Sequence, residues 1–287
     1  FMSNQVIDAL FKTNAIRVAP QDTPFWYTSG TLGPFYINTH FLIKDEQTAS
    51  DFLKRIETYI AEDHLTMPKR LFDDFMEVYE SSETFKMITD LLTSKLSEYD
   101  FDYISGGERR DYFFSMLPAH FLGKPHLSIF KDGSSVYSTS DFEDTCDSSM
   151  VDLKGKKAIH VADLITEASS YVRAWIPAIR GLGSDINVTV AIIDRHQNGR
   201  ENLMALNCDM YTFAGIDKAL FDRAFDSKVI NKAQYDLVMS FLEDPSKYMS
   251  DFLSSHPDFI SNEIRKGGKS KDRAMLAIEK GLITLNN

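Results

Sequence analysis

The sequence predicts an α/β protein whose core is a doubly wound, mainly parallel sheet flanked by helices, with a hood-like region before it and a helical extension after it. Two observations carry the prediction. Between Phe101 and Ile216, near-continuous apolar runs such as KKAIHVADL and NVTVAIIDR alternate with helical stretches, as strands buried on both faces require. Beyond MYTFAGI the apolar residues recur at helical spacing instead, with Asn231 and Gln234 placed as a capping box over Tyr235, Val238, Met239 and Leu242.

Composition bounds the function. The chain has 287 residues, 43% hydrophobic and 12% aromatic, enough for a large domain with a real core. A net charge of −11 speaks against nucleic acid as partner, because phosphate backbones demand clustered Lys and Arg. An anionic substrate would need a local basic pocket. Cys146 and Cys208 stand in neither a disulfide nor a zinc pattern, so no metal ligand set is assigned and a reducing cytoplasm is expected. No apolar run suits a bilayer, and FMSNQVIDALFK lacks a charged-then-apolar signal pattern, so no membrane partner is expected.

Taken in order, Ser3 caps a first helix carrying Val6, Ile7, Leu10 and Phe11, and TPFWYTSGTLGPFYINTHFLI reads as a turn and a strand. Asp45 opens a second helix with Phe52, Ile56, Tyr59 and Ile60 on one side, and another helical stretch runs over about 69–99. The α/β core follows: strand FDYISGG, helix ERRDYFFSMLPAHFLG, strands HLSIFK and KKAIHVADL, a helix from Ser169, and strand NVTVAIIDR. Asp244-Pro245 and His256-Pro257 start further helices, Gly267 stops one, and GGKSK there is a helix-to-helix turn, lacking the strand and spacing of a phosphate loop. The expected division is 1–100 for the hood-like region, 101–216 for the core and 217–287 for C-terminal helices packed on the core.

Ligands of doubly wound sheets bind at the carboxyl ends of strands. After DYIS come Gly106, Gly107, Glu108, Arg109 and Arg110, where amides and two guanidiniums could grip a diphosphate; a solvated first turn is the plainer alternative. After AIHVA come Asp163, Thr166, Glu167, Ala168, Ser169 and Ser170. A hydroxyl-rich turn can cradle a phosphate while Asp163 takes ribose hydroxyls directly or through Mg²⁺, although Thr166 or Ser169 could equally serve as an ordinary helix cap. After VTVAIID, Arg195 could hold a substrate carboxylate or simply pair with Asp194. His160, within a strand, and His120, on an apolar helix, read as packed residues.

The order of these motifs resembles the type I phosphoribosyltransferases, and among them the orotate phosphoribosyltransferases. The family's N-terminal SG-x-x-x-P-[YF]-[YF]-x-N pattern is similar to Ser29-Gly30-Thr31-Leu32-Gly33-Pro34-Phe35-Tyr36-Ile37-Asn38. Its DR-x-x-x-G-R-E-N-L segment is similar to Asp194–Leu203, and its I-x-x-x-Q-Y-x-x-V pattern to Ile230–Val238. The resemblance implies a cytoplasmic, homodimeric enzyme that transfers phosphoribose from PRPP, with Mg²⁺, to orotate or a related pyrimidine base. By family position, Asp163 and the turn through Ser170 would bind the ribose and its 5-phosphate. Thr166 and Arg195 would face the base, with Ser29, Gly30 and Tyr36 on the substrate side; Arg109, Arg110, Gly106 and Gly107 would sit near diphosphate, and Lys131 would be the loop lysine.

The sequence also departs from the family pattern. Ala162 replaces the first of two adjacent acids, Glu167 occupies a small-hydroxyl position, Ala168-Ser169 replace glycines, and the lysine loop is reduced to Phe130-Lys131-Asp132-Gly133-Ser134. Glu167 places negative charge beside a dianionic phosphate, and Ala168 resists the positive φ that glycine permits, so weakened PRPP binding is expected. The alternative reading is a catalytically degenerate protein that keeps the fold to bind a nucleotide or nucleobase.

Overall fold

The computed structural model describes residues 2–283. The chain divides into two compact units, one comprising residues up to Ala15 together with Asn38–Ile216, the other Ile16–Ile37 together with residues from Asp217 on. In chain order the elements begin with α1 (Met2–Lys12), β1 (Ile16–Val18), β2 (Phe25–Trp26), β3 (Leu32–Gly33) and β4 (Phe35–Ile37). Next come α2 (Glu46–Glu62), α3 (Met67–Ser81), α4 (Glu83–Leu96), β5 (Tyr103–Gly107), α5 (Tyr112–Phe121), β6 (His126–Ile129), β7 (Ser135–Ser138), β8 (Thr145–Asp147) and β9 (Lys157–Ile165). The rest are α6 (Ile176–Gly181), β10 (Asp185–Asp194), α7 (Gly199–Met204), β11 (Asp209–Gly215), α8 (Lys218–Asp226), α9 (Lys232–Glu243), α10 (Pro245–Ser255), α11 (Phe259–Lys266) and α12 (Gly268–Glu279).

The first unit is built on a seven-stranded sheet of order β11-β10-β9-β5-β6-β7-β8. β11, β10, β9, β5 and β6 run parallel, and β7 and β8 extend the edge antiparallel. β9 and β10 are the long central strands. β9 is buried along almost its whole length, which is why KAIHVADLI reads as an unbroken apolar run rather than an alternating one. One face packs Tyr103, Leu127, Ile129, Ala158, Ala162, Ile179, Ile186 and Ala191 into a continuous core. On α2, α3 and α5, Phe52 stacks on Phe75 at 5.0 Å and Phe113 closes on both.

In the second unit, β1 pairs with β4 and β2 with β3, both antiparallel. Leu32 shares an apolar cluster with Tyr248, Met249, Phe252 and Ala277, and Trp26 Nε1 donates to Glu263 Oε1 at 3.0 Å. Gly30 turns this segment at φ +83°, where a β-carbon would stand 3.1 Å from the Ala277 nitrogen.

The capping box at Asn231 and Gln234 and the N-caps Asp45 and Asp244 form as the sequence indicates. Three local expectations are corrected. Ser3 lies inside α1 and its Oγ donates to the Phe213 carbonyl at 2.8 Å, so it caps nothing. The stretch over 69–99 is two helices, because Ser82 turns extended and caps α4 through the Phe85 N–H. The β7–β8 hairpin is an addition that the polar sequence SSVYSTSDFEDTCD conceals, with Phe142 buried at φ +60° between its strands.

Candidate active site

The carboxyl ends of β5, β6 and β9 surround a cavity of about 500 Å³. It is lined by Glu108–Asp111 after β5, Lys131 after β6, and the end of β9 with its following turn, Ala162–Tyr171, together with Trp175. Of the residues singled out in the sequence, Asp163, Arg109, Arg110, Lys131, Thr166, Glu167, Ala168, Ser169 and Ser170 are brought together here. Gly106 and Gly107 are not in the loop; they are the last residues of β5. Both are glycine because neighbours press on the strand: a β-carbon would meet Ser115 Oγ at 2.2 Å from Gly106 and the Trp175 ring at 2.3 Å from Gly107. Arg195 follows β10 and its N–H donates to the Ile165 carbonyl at 2.9 Å, so the loop after β10 is tied to the start of the turn after β9. Ser29, Gly30 and Tyr36 belong to the second unit, where Ser29 Oγ lies 2.7 Å from Thr31 Oγ1 and Tyr36 packs edge-on against Phe25.

The turn after β9 shows how the departures from glycine are accommodated. Ala168 takes φ +62° and is buried, so the backbone adopts the left-handed conformation without glycine and bears its cost, on the order of 1 kcal/mol. The Glu167 carbonyl accepts from Asn202 Nδ2 at 2.8 Å, which braces the turn against α7, while the Glu167 side chain is exposed at the cavity wall. Gly199 allows α7 this close approach, since a β-carbon there would lie 2.7 Å from the Thr166 carbonyl. The helix that follows opens with a π turn, Tyr171–Trp175, in which the Ile176 N–H reaches back to the Tyr171 carbonyl. No side-chain hydrogen bond caps this start among the described residues, so neither Thr166 nor Ser169 acts as an ordinary cap.

The electrostatics of the cavity are mixed. Asp163 is buried at the end of β9, and burial together with the neighbouring Asp111 carboxyl pushes it up to about 7. Arg109 is bonded to Glu57 of α2, and the Lys131 N–H donates to Glu108 Oε2 at 2.9 Å, closing the β6 loop over the β5 loop. The Glu108–Arg109 peptide is cis. Burial and the charges of Arg110 and Arg109 hold His40 down at about 3, hence neutral. Asp194 is buried and engages His196 through both its backbone N–H, at 2.8 Å, and its ring.

A residue missed by sequence reasoning joins these parts. Asp111 accepts the Gly107 N–H at 3.0 Å, the Asp163 N–H at 3.2 Å, and lies 2.9 Å from His160 Nε2, while His160 Nδ1 is 2.8 Å from Ser105 Oγ. The available signal was a histidine and a serine in otherwise apolar strands, because a fully buried polar side chain needs a partner.

No protein-family model matches the chain. In sequence it is 29% identical over 161 residues to an adenine phosphoribosyltransferase of Butyrivibrio fibrisolvens, an alignment covering 53% of this chain and 89% of that protein. It is 26% identical over 174 residues to the adenine phosphoribosyltransferase of Agathobacter rectalis, covering 57% of this chain and 95% of that one. In structure it is similar to the UMP synthase of Leishmania donovani, with a TM-score of 0.57 and 17% identity, covering 84% of this chain but only 42% of that protein's length. It is also similar to the orotate phosphoribosyltransferase of Francisella tularensis, with a TM-score of 0.52 and 11% identity, covering 83% and 96% of the two chains. The structural likeness extends over most of the chain, and the cavity lies at the strand ends of its sheet: the chain has the type I phosphoribosyltransferase fold and is similar in sequence to adenine phosphoribosyltransferases.

Proposed function

We propose that the chain transfers a phosphoribosyl group from PRPP to a ring nitrogen of a nucleobase. The observation that carries this reading is the grouping of Asp163, the Thr166–Ser170 turn, Arg109, Arg110 and Lys131 around one cavity. In the reaction the base nitrogen donates its lone pair to C1 of the ribose, the bond from C1 to the diphosphate oxygen breaks with its electron pair, and the base gives up a proton. Positive charge develops on the ribose ring and negative charge on the departing diphosphate. Asp163 suits the first, and the Arg110 and Lys131 side chains suit the second, so catalysis is charge stabilisation and positioning rather than covalent chemistry. Asp163 is the carboxylate that this cavity would offer to Mg²⁺ bound as the counter-ion of the diphosphate. Mg²⁺ would neutralise charge on the leaving group.

Orotate is the first acceptor to test, on the strength of the Ser29–Asn38 motif and of Arg195 beside the ribose turn. Adenine is the second, since the relatives found by sequence are adenine phosphoribosyltransferases. The purified chain incubated with Mg²⁺, PRPP and each base in turn should yield the corresponding nucleoside monophosphate and diphosphate, read by mass spectrometry. Absence of product with every base, while PRPP or a nucleotide still binds, would support a second reading favoured by Glu167: a protein that keeps the cavity for binding and has lost the transfer.

A further inference from the structure

Asp111 precedes α5 with 7% of its surface exposed, and its carboxylate bonds to two strands, β5 and β9. One oxygen accepts the Gly107 N–H at the end of β5 and faces His160 Nε2 in the middle of β9; the other accepts the Asp163 N–H at the end of β9. With Asp111 ionised, His160 carries its proton on Nε2, and its Nδ1 is left to accept from the Ser105 hydroxyl 2.8 Å away. The imidazole is held on both sides, stacked on Trp175 at 6.0 Å and edge-on to Tyr171 at 4.9 Å. Ser105 and His160 are wholly buried, so although the trio has the composition of a nucleophilic triad, its serine cannot meet a substrate. It can only hold things in place. What it holds is the peptide of Gly107 and the backbone of Asp163. Asp163 follows Ala162 in β9, so no second acid adjoins it on the N-terminal side.

We propose that Asp111 is a positioning residue for the phosphoribosyl site: one carboxylate, oriented by the buried Ser105–His160 pair, fixes Asp163 against the end of β5. The inference rests on the phosphoribosyl-transfer reading and makes it specific. Asp163 lines a cavity shared with Glu108, Arg109, Arg110, Lys131 and Glu167. Removing the tether therefore lowers kcat while leaving the KM for the base nearly unchanged, and a donor restored at position 160 keeps the activity, a pattern that a merely structural aspartate would not give.

The test uses the full chain with Asp111→Asn, His160→Phe and His160→Gln. Asp111→Asn should lower kcat at least tenfold with the KM for the base little changed. His160→Phe keeps the ring stack but offers Asp111 no donor and should follow Asp111→Asn. His160→Gln offers an amide donor and should retain most of the activity. Equal kcat in Asp111→Asn and the unmodified chain, or equal losses in the two His160 variants, would overturn the proposal. Hydrogen exchange at the Gly107 and Asp163 amides reads the tether without turnover: both should be protected in the unmodified chain and exposed in Asp111→Asn, whose overall fold is checked by circular dichroism. Should the unmodified chain transfer nothing while this exchange pattern appears, the transfer reading fails and the tether stands; unchanged protection in Asp111→Asn removes the tether itself.

Discussion

Gly107 lies directly against the indole of Trp175, so close that a β-carbon at position 107 would stand 2.3 Å from ring atoms Cε2 and Cζ2. Trp175 in turn stacks on His160 and lines the cavity, so the last residue of β5 fixes the position of the cavity's aromatic wall. Gly107→Ala must displace the indole or the strand. Overpacking of this kind costs roughly 1–3 kcal/mol, and here the displaced group is also a wall of the site. The expected outcome is a lower unfolding midpoint in denaturant together with a shift in tryptophan emission in the folded state. An unchanged emission maximum and midpoint would mean that the indole moves aside without cost.

Arg109 is engaged by Glu57 of α2, although it also lines the cavity. Glu57 is well exposed, so this pair contributes at most about 1 kcal/mol to stability. Its larger consequence is to occupy a guanidinium that could otherwise meet an anion. Glu57→Gln should leave the unfolding midpoint nearly unchanged and tighten binding of inorganic pyrophosphate several-fold, with a steeper salt dependence, measured by calorimetry. Arg110→Gln should do the reverse and weaken the same binding by roughly tenfold or more.

The buried titratable groups pull stability in opposite directions as pH changes. His40 and His126 titrate at about 3 when folded against 6.5 ordinarily, so the unfolded chain binds more protons and stability rises with pH through this window. Asp163 titrates at about 7 when folded against 3.8, so the folded chain binds the extra proton and stability falls as pH rises through that range. Once the histidines are neutral in both states, near pH 6.5, only the Asp163 contribution remains and the curve turns down. Asp163→Asn removes that contribution, and its stability relative to the unmodified chain should grow by roughly 1 kcal/mol per pH unit between about pH 4 and pH 7. Urea unfolding at a series of pH values measures it; a constant difference would show that Asp163 ionises freely in the folded chain.

What could be read from the sequence depended on whether a residue's partners were near in sequence. The strands β9 and β10 are evident because burial on both faces leaves only apolar residues over most of their length, and the cap at Asn231 because its partner is three residues away. The hairpin β7–β8 was hidden, since it lies at the sheet edge and carries Ser, Thr and Asp. The strand-end rule drew attention to Asp163 and to Arg109 and Arg110, yet Asp111 went unnoticed: its partner His160 is 49 residues away. Ala168 shows the limit of a local rule. The cost of positive φ is real but small beside the packing that buries this residue and the turn that Asn202 braces.

Glu167 is the feature of the cavity least suited to a phosphorylated sugar. On the proposed reading the turn takes the 5-phosphate and Glu167 brings a carboxylate to it; two like charges a few ångströms apart repel by on the order of 1–4 kcal/mol, the lower end applying to an exposed side chain. The turn is otherwise intact, with its backbone held by Asn202 and its hydroxyls at Thr166, Ser169 and Ser170. Glu167→Thr should therefore leave stability unchanged and raise PRPP affinity about tenfold in calorimetric titration with Mg²⁺. Inorganic pyrophosphate separates the possible causes, because it occupies the diphosphate side and has no 5-phosphate. A gain seen with PRPP alone places Glu167 against the sugar phosphate; an equal gain with both ligands reduces its effect to the general charge of the cavity; and no gain with either means that the turn takes its ligand without a phosphate at this position.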